Sequence, residues 1–218
     1  MRHRISLHRG LAVVIVQLLA GLLAWPAAGG AQVLPNLLPN LLPNSTPTIT
    51  GQAAAVQATV FGLLGGTTLG LANTGTLSSP TDALDASQLT GNLLGALLAE
   101  VPQASTIGYL DQVDSQASLA NLALSIAGNT IGADFLMSEA SAVLNGGSTG
   151  SSIINNLSLN GVPVPVSGVP NQTLAIPGGQ MVINEQQTSP TGIVVNALHV
   201  IVSGVADVVM GSAVASIQ

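Results

Sequence analysis

From Ser115 onward, apolar and polar residues alternate with a period of two, the signature of half-buried strands. Leu122, Leu124 and Ile126 interleave with Ala123 and Ser125, Gly128-Asn129 marks a turn, and Ile131 to Val143 continues the pattern up to the break at Asn145-Gly146-Gly147. Ile153 to Leu159 alternates again. Asn160-Gly161 then supplies the two-residue signal of a type I′ hairpin turn into Val162, Val164 and Val166. Pro163 and Pro165 cannot donate to a ladder, which assigns that strand to an edge. Leu174 and Ile176, the turn Pro177-Gly178-Gly179-Gln180, and Met181 to Asn184 read as a second hairpin. Ile193 to Val202 and Asp207 to Ile217 are the last two strands, joined by Ser203-Gly204-Val205. In the final strand both faces carry small or apolar groups, which places it in the interior of a sheet.

Upstream the pattern is mixed. Ala54 to Leu63 reads as a strand with Val56, Ala58 and Val60 on one face, and Gly65-Gly66 breaks it. Ser79-Pro80-Thr81-Asp82 has the form of a helix start: an N-cap serine, proline at the first helical position and an acid in the first turn. Leu84, Leu89, Leu93, Leu94, Leu97 and Leu98 follow as an apolar stripe, weakened by Gly91 and Gly95 and ended by Pro102. The expected fold is all-β, an antiparallel β-sandwich or barrel-like domain with a short helical, leucine-rich insertion near residues 80–100. A parallel β-solenoid is the alternative; it requires a fixed repeat, which the sequence shows only in a linker.

That linker is Val33 to Asn44, a four-residue Leu-Pro-Asn repeat whose prolines forbid a regular helix. Before it, Arg2, Arg4 and Arg9, the apolar run Leu11 to Leu23 and the small residues Ala27 to Ala31 have the layout of a secretory signal peptide. Pro26 closes an apolar stretch too short for a spanning helix of about 20 residues. The expected organisation is a signal peptide over 1–31, a linker over 32–51 and one β-rich domain over 52–218, secreted or at the cell surface, with the membrane met only through the signal if it is uncleaved. The 218 residues include no cysteine, so packing and not disulfides must hold the exported domain. Beyond the signal only Phe61, Tyr109 and Phe135 are aromatic.

Charge narrows the function classes. The three basic residues, Arg2, Arg4 and Arg9, all lie in the signal, so removing it takes the formal charge from −6 to −9. Phosphate clamps, Schiff-base lysines and basic nucleic-acid surfaces are thereby excluded from the domain. Asp111 and Asp114, with Gln112 and Ser115 beside them, and Asp134 are candidate Ca²⁺ ligands, because Ca²⁺ accepts irregular sets of oxygens; their spacing matches no EF-hand or other calcium repeat. Glu185 and His199 are the candidate acid–base pair, with Ser167, Ser189 and Ser203 as conceivable nucleophiles, although no Gly-x-Ser-x-Gly elbow is present. His199 is expected on one strand face with Val195 and Ile201, the usual setting of a structural histidine. Asn160, Asn171, Asn184 and Asn196 read as turn or strand residues, and Asn44, Asn156 and Asn171 open N-x-Ser/Thr sequons that matter only in a eukaryotic secretory route.

Several short motifs occur in order: Asn156-Leu-Ser-Leu-Asn-Gly-Val-Pro-Val164, Pro170-Asn-Gln-Thr173, Ile183-Asn-Glu-Gln186, Val195-Asn-Ala-Leu-His-Val200 and Ala206-Asp-Val-Val-Met-Gly-Ser-Ala213. With Ala117 to Leu124 and Ile131 to Asp134 upstream, the stretch Ser115 to Gln218 resembles the choice-of-anchor P family. That resemblance implies an exported bacterial protein whose common domain precedes a variable surface anchor. No sorting motif, hydrophobic span or basic tail follows Ile217, so a member without a recognisable anchor is expected. The function expected is a structural or adhesive β-domain facing a surface or matrix component, without catalysis or a required cofactor. The alternatives are a Ca²⁺-dependent binding module and a carbohydrate-active enzyme built on two carboxylates.

Overall fold

The computed structural model describes residues 46–62 and 65–218; the expected signal peptide and the Leu-Pro-Asn repeat lie outside the described residues. Fourteen strands, β1 to β14 in chain order, form two antiparallel sheets packed face to face. The six-stranded sheet runs β11 (Gln172–Ile176), β12 (Gly179–Ser189), β13 (Gly192–Val202), β14 (Ala206–Ile217), β1 (Ile49–Gly62), β2 (Gly65–Thr76). The other runs β10 (Val162–Pro163), β9 (Ser158–Leu159), β7 (Asn129–Val143), β6 (Gln112–Ile126), β5 (Leu97–Gly108), β3 (Ala83–Ser87), with β8 (Gly147–Asn155) paired to β7 and β4 (Thr90–Leu93) to β5. The sheets do not close into a barrel, and the pairing of successive antiparallel strands is not that of a parallel solenoid.

The hairpins expected from turn residues form, although the expected strand through Val164 and Val166 shortens to Val162–Pro163. Asn160 and Gly161 adopt φ of 51° and 77°, the type I′ geometry, between β9 and the edge strand β10. The final strand lies between β13 and β1, with Ile217 opposite Ile49, so the sheet takes in the last three residues of the expected linker. One turn shifts by a residue: Ala127-Gly128 makes it, and Asn129 is already buried in β7.

The expected helix is absent; the described residues contain none. Pro80-Thr81 forms a turn in which the Asp82 N–H donates to the Ser79 carbonyl, and the carboxylate of Asp82 accepts from Ser78. Residues 83–93 then run antiparallel to 97–107 as the arms of a hairpin closed at Leu94-Gly95. The leucines split between faces: Leu97 is buried while Leu89, Leu94 and Leu98 are exposed. Gly91, which would weaken a helix, is here the point of closest approach to β2; a methyl group on it would sit 2.4 Å from a Leu71 methyl carbon. Local capping signals yield to the ladder that β5 offers on this side.

Core packing is aliphatic. Leu119, Leu136, Met181, Ile183, Leu198, Val200 and Met210 are fully buried between the sheets, whereas Phe61 and Tyr109 are half exposed. A second, smaller cluster holds Val113, Ala142, Ile193, Val195, Ala215 and Ile217.

The two clusters lie on either side of a crease. In β14, Ala206, Val208 and Met210 point inward, and then Ala213, Ala215 and Ile217 do; the alternation slips by one residue at Gly211, where φ is 64°. The neighbouring strands slip at the positions in register with it, Ala197 in β13 and Ala55 in β1, and the next strands out carry left-handed residues, Asn184 and Ala72. The opposite sheet slips at Val101, Asn121, Asp134 and Asn156, three of them also left-handed. Asn156 is therefore where the expected strand Ile153 to Leu159 divides into β8 and β9, both paired to β7.

Candidate functional site

Two outward faces carry chemistry. On the six-stranded sheet, the slip at Ala197 puts Asn196 and His199 on the same outer face, although they are three residues apart. Val195 points into the core with no exposure, so the expectation that His199 shares a face with it fails for the same reason. His199 Nδ1 lies 2.9 Å from Glu185 Oε2 in β12, and Nε2 lies 2.7 Å from Asp207 Oδ1 in β14. Asn196 Nδ2 donates to the same Glu185 Oε2 at 2.6 Å, leaving Asn196 Oδ1 buried and without a partner among the described residues. The imidazole side chain is 14% exposed and Glu185 16%, while Asp207 is more open. Two donations to carboxylates need a ring carrying both protons; with one proton, one nitrogen turns a lone pair towards an acid.

The sequence pairs Glu185 with His199, and the structure joins them. The serines do not join: Ser167 accepts from the Val169 N–H, Ser189 donates to the Gly192 carbonyl, and Ser203 lies in the β13–β14 turn. Asp207 is the partner that residue spacing alone did not indicate. Its position follows from the hairpin register, which sets Val209 opposite His199 and so makes Asp207 the diagonal neighbour.

On the opposite sheet, Ser115 donates to the Val214 carbonyl across the sandwich at 2.6 Å, so its neighbours Asp114 and Gln116 face outward. A cross-strand row runs Asp85, Ser105, Gln116, Glu139, Ser151, with Ile107, Asp114, Ser141 and Thr149 in the row beside it. All of these but Asp85 line an open groove of about 360 Å³. Gln112 Nε2 donates to both oxygens of Asp114 at 2.8 Å, and Ser151 Oγ donates to Glu139 at 3.3 Å.

The three candidate Ca²⁺ ligands do not meet. Asp111 is exposed in the β5–β6 turn. Asp134 sits opposite Asn121, seven residues along β7 from Ser141, the register partner of Asp114, or about 23 Å at strand rise. Its carboxylate accepts from Asn156 Nδ2 at 2.6 Å. Among the described residues no group of three or more His, Asp or Glu side chains converges on a cation position. The asparagines do structural work: Asn160 Oδ1 accepts from the Thr130 N–H, Asn171 Oδ1 from the Gln186 N–H, and Asn184 holds the crease.

No protein-family model matches the sequence, and neither the curated proteins nor the solved structures give a match.

Proposed function

We propose that the chain is an exported structural or adhesive β-domain that holds a hydroxyl-rich surface or matrix polymer against the groove of its eight-stranded sheet. The observation that carries this reading is the row Ser105, Gln116, Glu139, Ser151 with Asp114 and Ser141 beside it: short donors and acceptors at the spacing of about 4.8 Å between strands, on a rigid face. A sugar polymer presents hydroxyls that donate to the carboxylates and accept from the serines and amides. The signal-like N-terminus and the resemblance of Ser115 to Gln218 to an exported family support the setting.

Co-sedimentation of the exported protein with insoluble polysaccharides and with whole cells tests the reading, alongside Gln116→Ala and Glu139→Gln variants. Retention that falls at least tenfold in both variants is expected. Equal retention in both variants, or none on any surface, overturns it. A second reading is favoured by one geometric fact: Asp114 and Glu139 are diagonal neighbours on adjacent strands and line the same groove, the kind of placement that paired glycosidase carboxylates require. Release of reducing ends in the same assay identifies that reading, and retention abolished by a calcium chelator identifies the Ca²⁺-dependent one.

A further inference from the structure

We propose that Glu185, His199 and Asn196 form a binding site for a divalent first-row transition cation of the Zn²⁺ class, with Asp207 orienting the imidazole. This site lies on the opposite sheet from the groove and is independent of the function proposed there.

The argument starts from the two faces of one ring. Both ring nitrogens face a carboxylate, but Glu185 Oε2 already accepts from Asn196 Nδ2, so a single ring proton is better placed on Nε2, 2.7 Å from Asp207 Oδ1, which leaves the free lone pair on Nδ1. That lone pair faces Glu185 Oε2 at 2.9 Å. A carboxylate on the far nitrogen is the arrangement by which proteins fix metal-binding histidines, and Asp207 holds that place here. Zn²⁺ takes nitrogen and oxygen ligands at about 2.0–2.2 Å, so a tetrahedral ion between Nδ1 and Oε2 asks the pair to open by about half an ångström. A two-ligand site is weak, and the independent observation is the third donor. Asn196 is 7% exposed and its Oδ1 has no hydrogen-bond partner among the described residues, while its Nδ2 contacts the very oxygen that would face the ion. Turning the carboxamide by half a rotation presents Oδ1 to the ion and removes the N–H group that would repel it, while moving Nδ2 to the position where Oδ1 now has no partner, so the gain must come from the metal–oxygen bond. The donor set is then imidazole nitrogen, carboxylate and carboxamide oxygen, which suits Zn²⁺, Co²⁺ or Mn²⁺ over the all-oxygen preference of Ca²⁺. Where Nδ1 carries a proton, metal binding releases it to solvent and the metal–nitrogen bond replaces it.

The test is titration of the full chain with Zn²⁺ by calorimetry in buffers of different ionisation enthalpy, which counts protons released. His3 and His8 are the other histidines, so a His3→Gln/His8→Gln variant runs beside His199→Gln. The expected result is one ion per chain at His199, kept in the His3/His8 variant, lost in His199→Gln, and weakened about 10–100-fold with unchanged stoichiometry in Asp207→Asn. A readout on the unmutated chain guards against a variant that does not fold: the ¹⁵N resonance of His199 Nδ1 must be the one that moves on adding Zn²⁺. Binding that persists in His199→Gln, no binding at millimolar Zn²⁺, or a shift confined to Nε2 overturns the proposal.

Discussion

Gly211 offers the sharpest check on the crease, because two costs meet at one Cβ. A methyl group there must adopt φ of 64°, and it would lie 3.1 Å from the Ala197 methyl and 3.7 Å from Ser138 Oγ. Left-handed backbone costs an alanine about 1–2 kcal/mol, and crowding a packed interior about 1–3 kcal/mol more. Two other glycines separate the terms. Gly204, in the β13–β14 turn at φ of 68°, has nothing within 4 Å of its virtual Cβ, so Gly204→Ala isolates the backbone cost. Gly150 has no positive φ, but its Cβ would meet Val195 at 2.3 Å and Ile193 at 2.9 Å, so Gly150→Ala isolates crowding. Urea unfolding followed by circular dichroism should show Gly204→Ala losing about 1–2 kcal/mol and Gly211→Ala about 2–5 kcal/mol. In a domain of this size the corresponding melting shifts are about 2–8 °C and 4–20 °C. If Gly211→Ala unfolds at the wild-type urea midpoint while Gly204→Ala does not, the crease does not depend on a glycine at that point and the reasoning fails.

Other expectations are narrower. Leu198→Ala and Met210→Ala each empty a fully buried site in the larger cluster and should cost about 2–5 kcal/mol in the same urea assay; a loss under about 1 kcal/mol would mean the sheets collapse onto the gap. Deleting residues 207–218 removes a strand hydrogen-bonded on both sides and should leave an insoluble chain, whereas a soluble product with an unchanged melt would refute its central place in the sheet. Asp82 is held below the ordinary carboxylate range, first by the backbone N–H of Ser78 and then by its hydroxyl. The stability it lends is therefore present above its unfolded value and lost as pH falls through its lower folded one. The Ser78→Ala variant should raise the Asp82 midpoint in a carbon-detected NMR titration, and an unmoved midpoint contradicts the hydroxyl's part.

Turn chemistry made much of the fold legible. Asn160-Gly161, Pro177-Gly178 and Ser203-Gly204 mark hairpins that form, and the two apolar faces of β14 correctly imply an interior strand. The crease was not legible, because strict alternation is the assumption by which strands are read and the residues that break it are ordinary in strands. Val101 and Ala72 take positive φ with no glycine to announce it, and Asn121, Asn156 and Asn184 read equally well as polar strand positions. That one omission explains the misassigned face of His199 and the missed partnership of Asn196. The helix expected near 80–100 failed for a different reason: a serine cap and a proline are compatible with a tight turn, and the leucine spacing did not exclude two strand arms.

The same crease bears on what the surface can recognise. With Lys and Arg confined to the first nine residues, four acids of the domain take amide partners: Glu100 accepts from Asn121, Asp134 from Asn156, Glu185 from Asn196 and Asp114 from Gln112. The first two pairs lie along the crease of one sheet and the third beside the crease of the other. Asparagine is a residue that tolerates the left-handed backbone needed there, so at Asn121 and Asn156 one side chain both permits the slip and caps an acid on the next strand. An amide satisfies one lone pair of a carboxylate but cancels none of its charge. Both outer faces therefore remain acceptor-rich and negative, which selects partners that bring donors or cations. The hydroxyls proposed for the groove and the metal ion proposed for His199 are two forms of that one requirement.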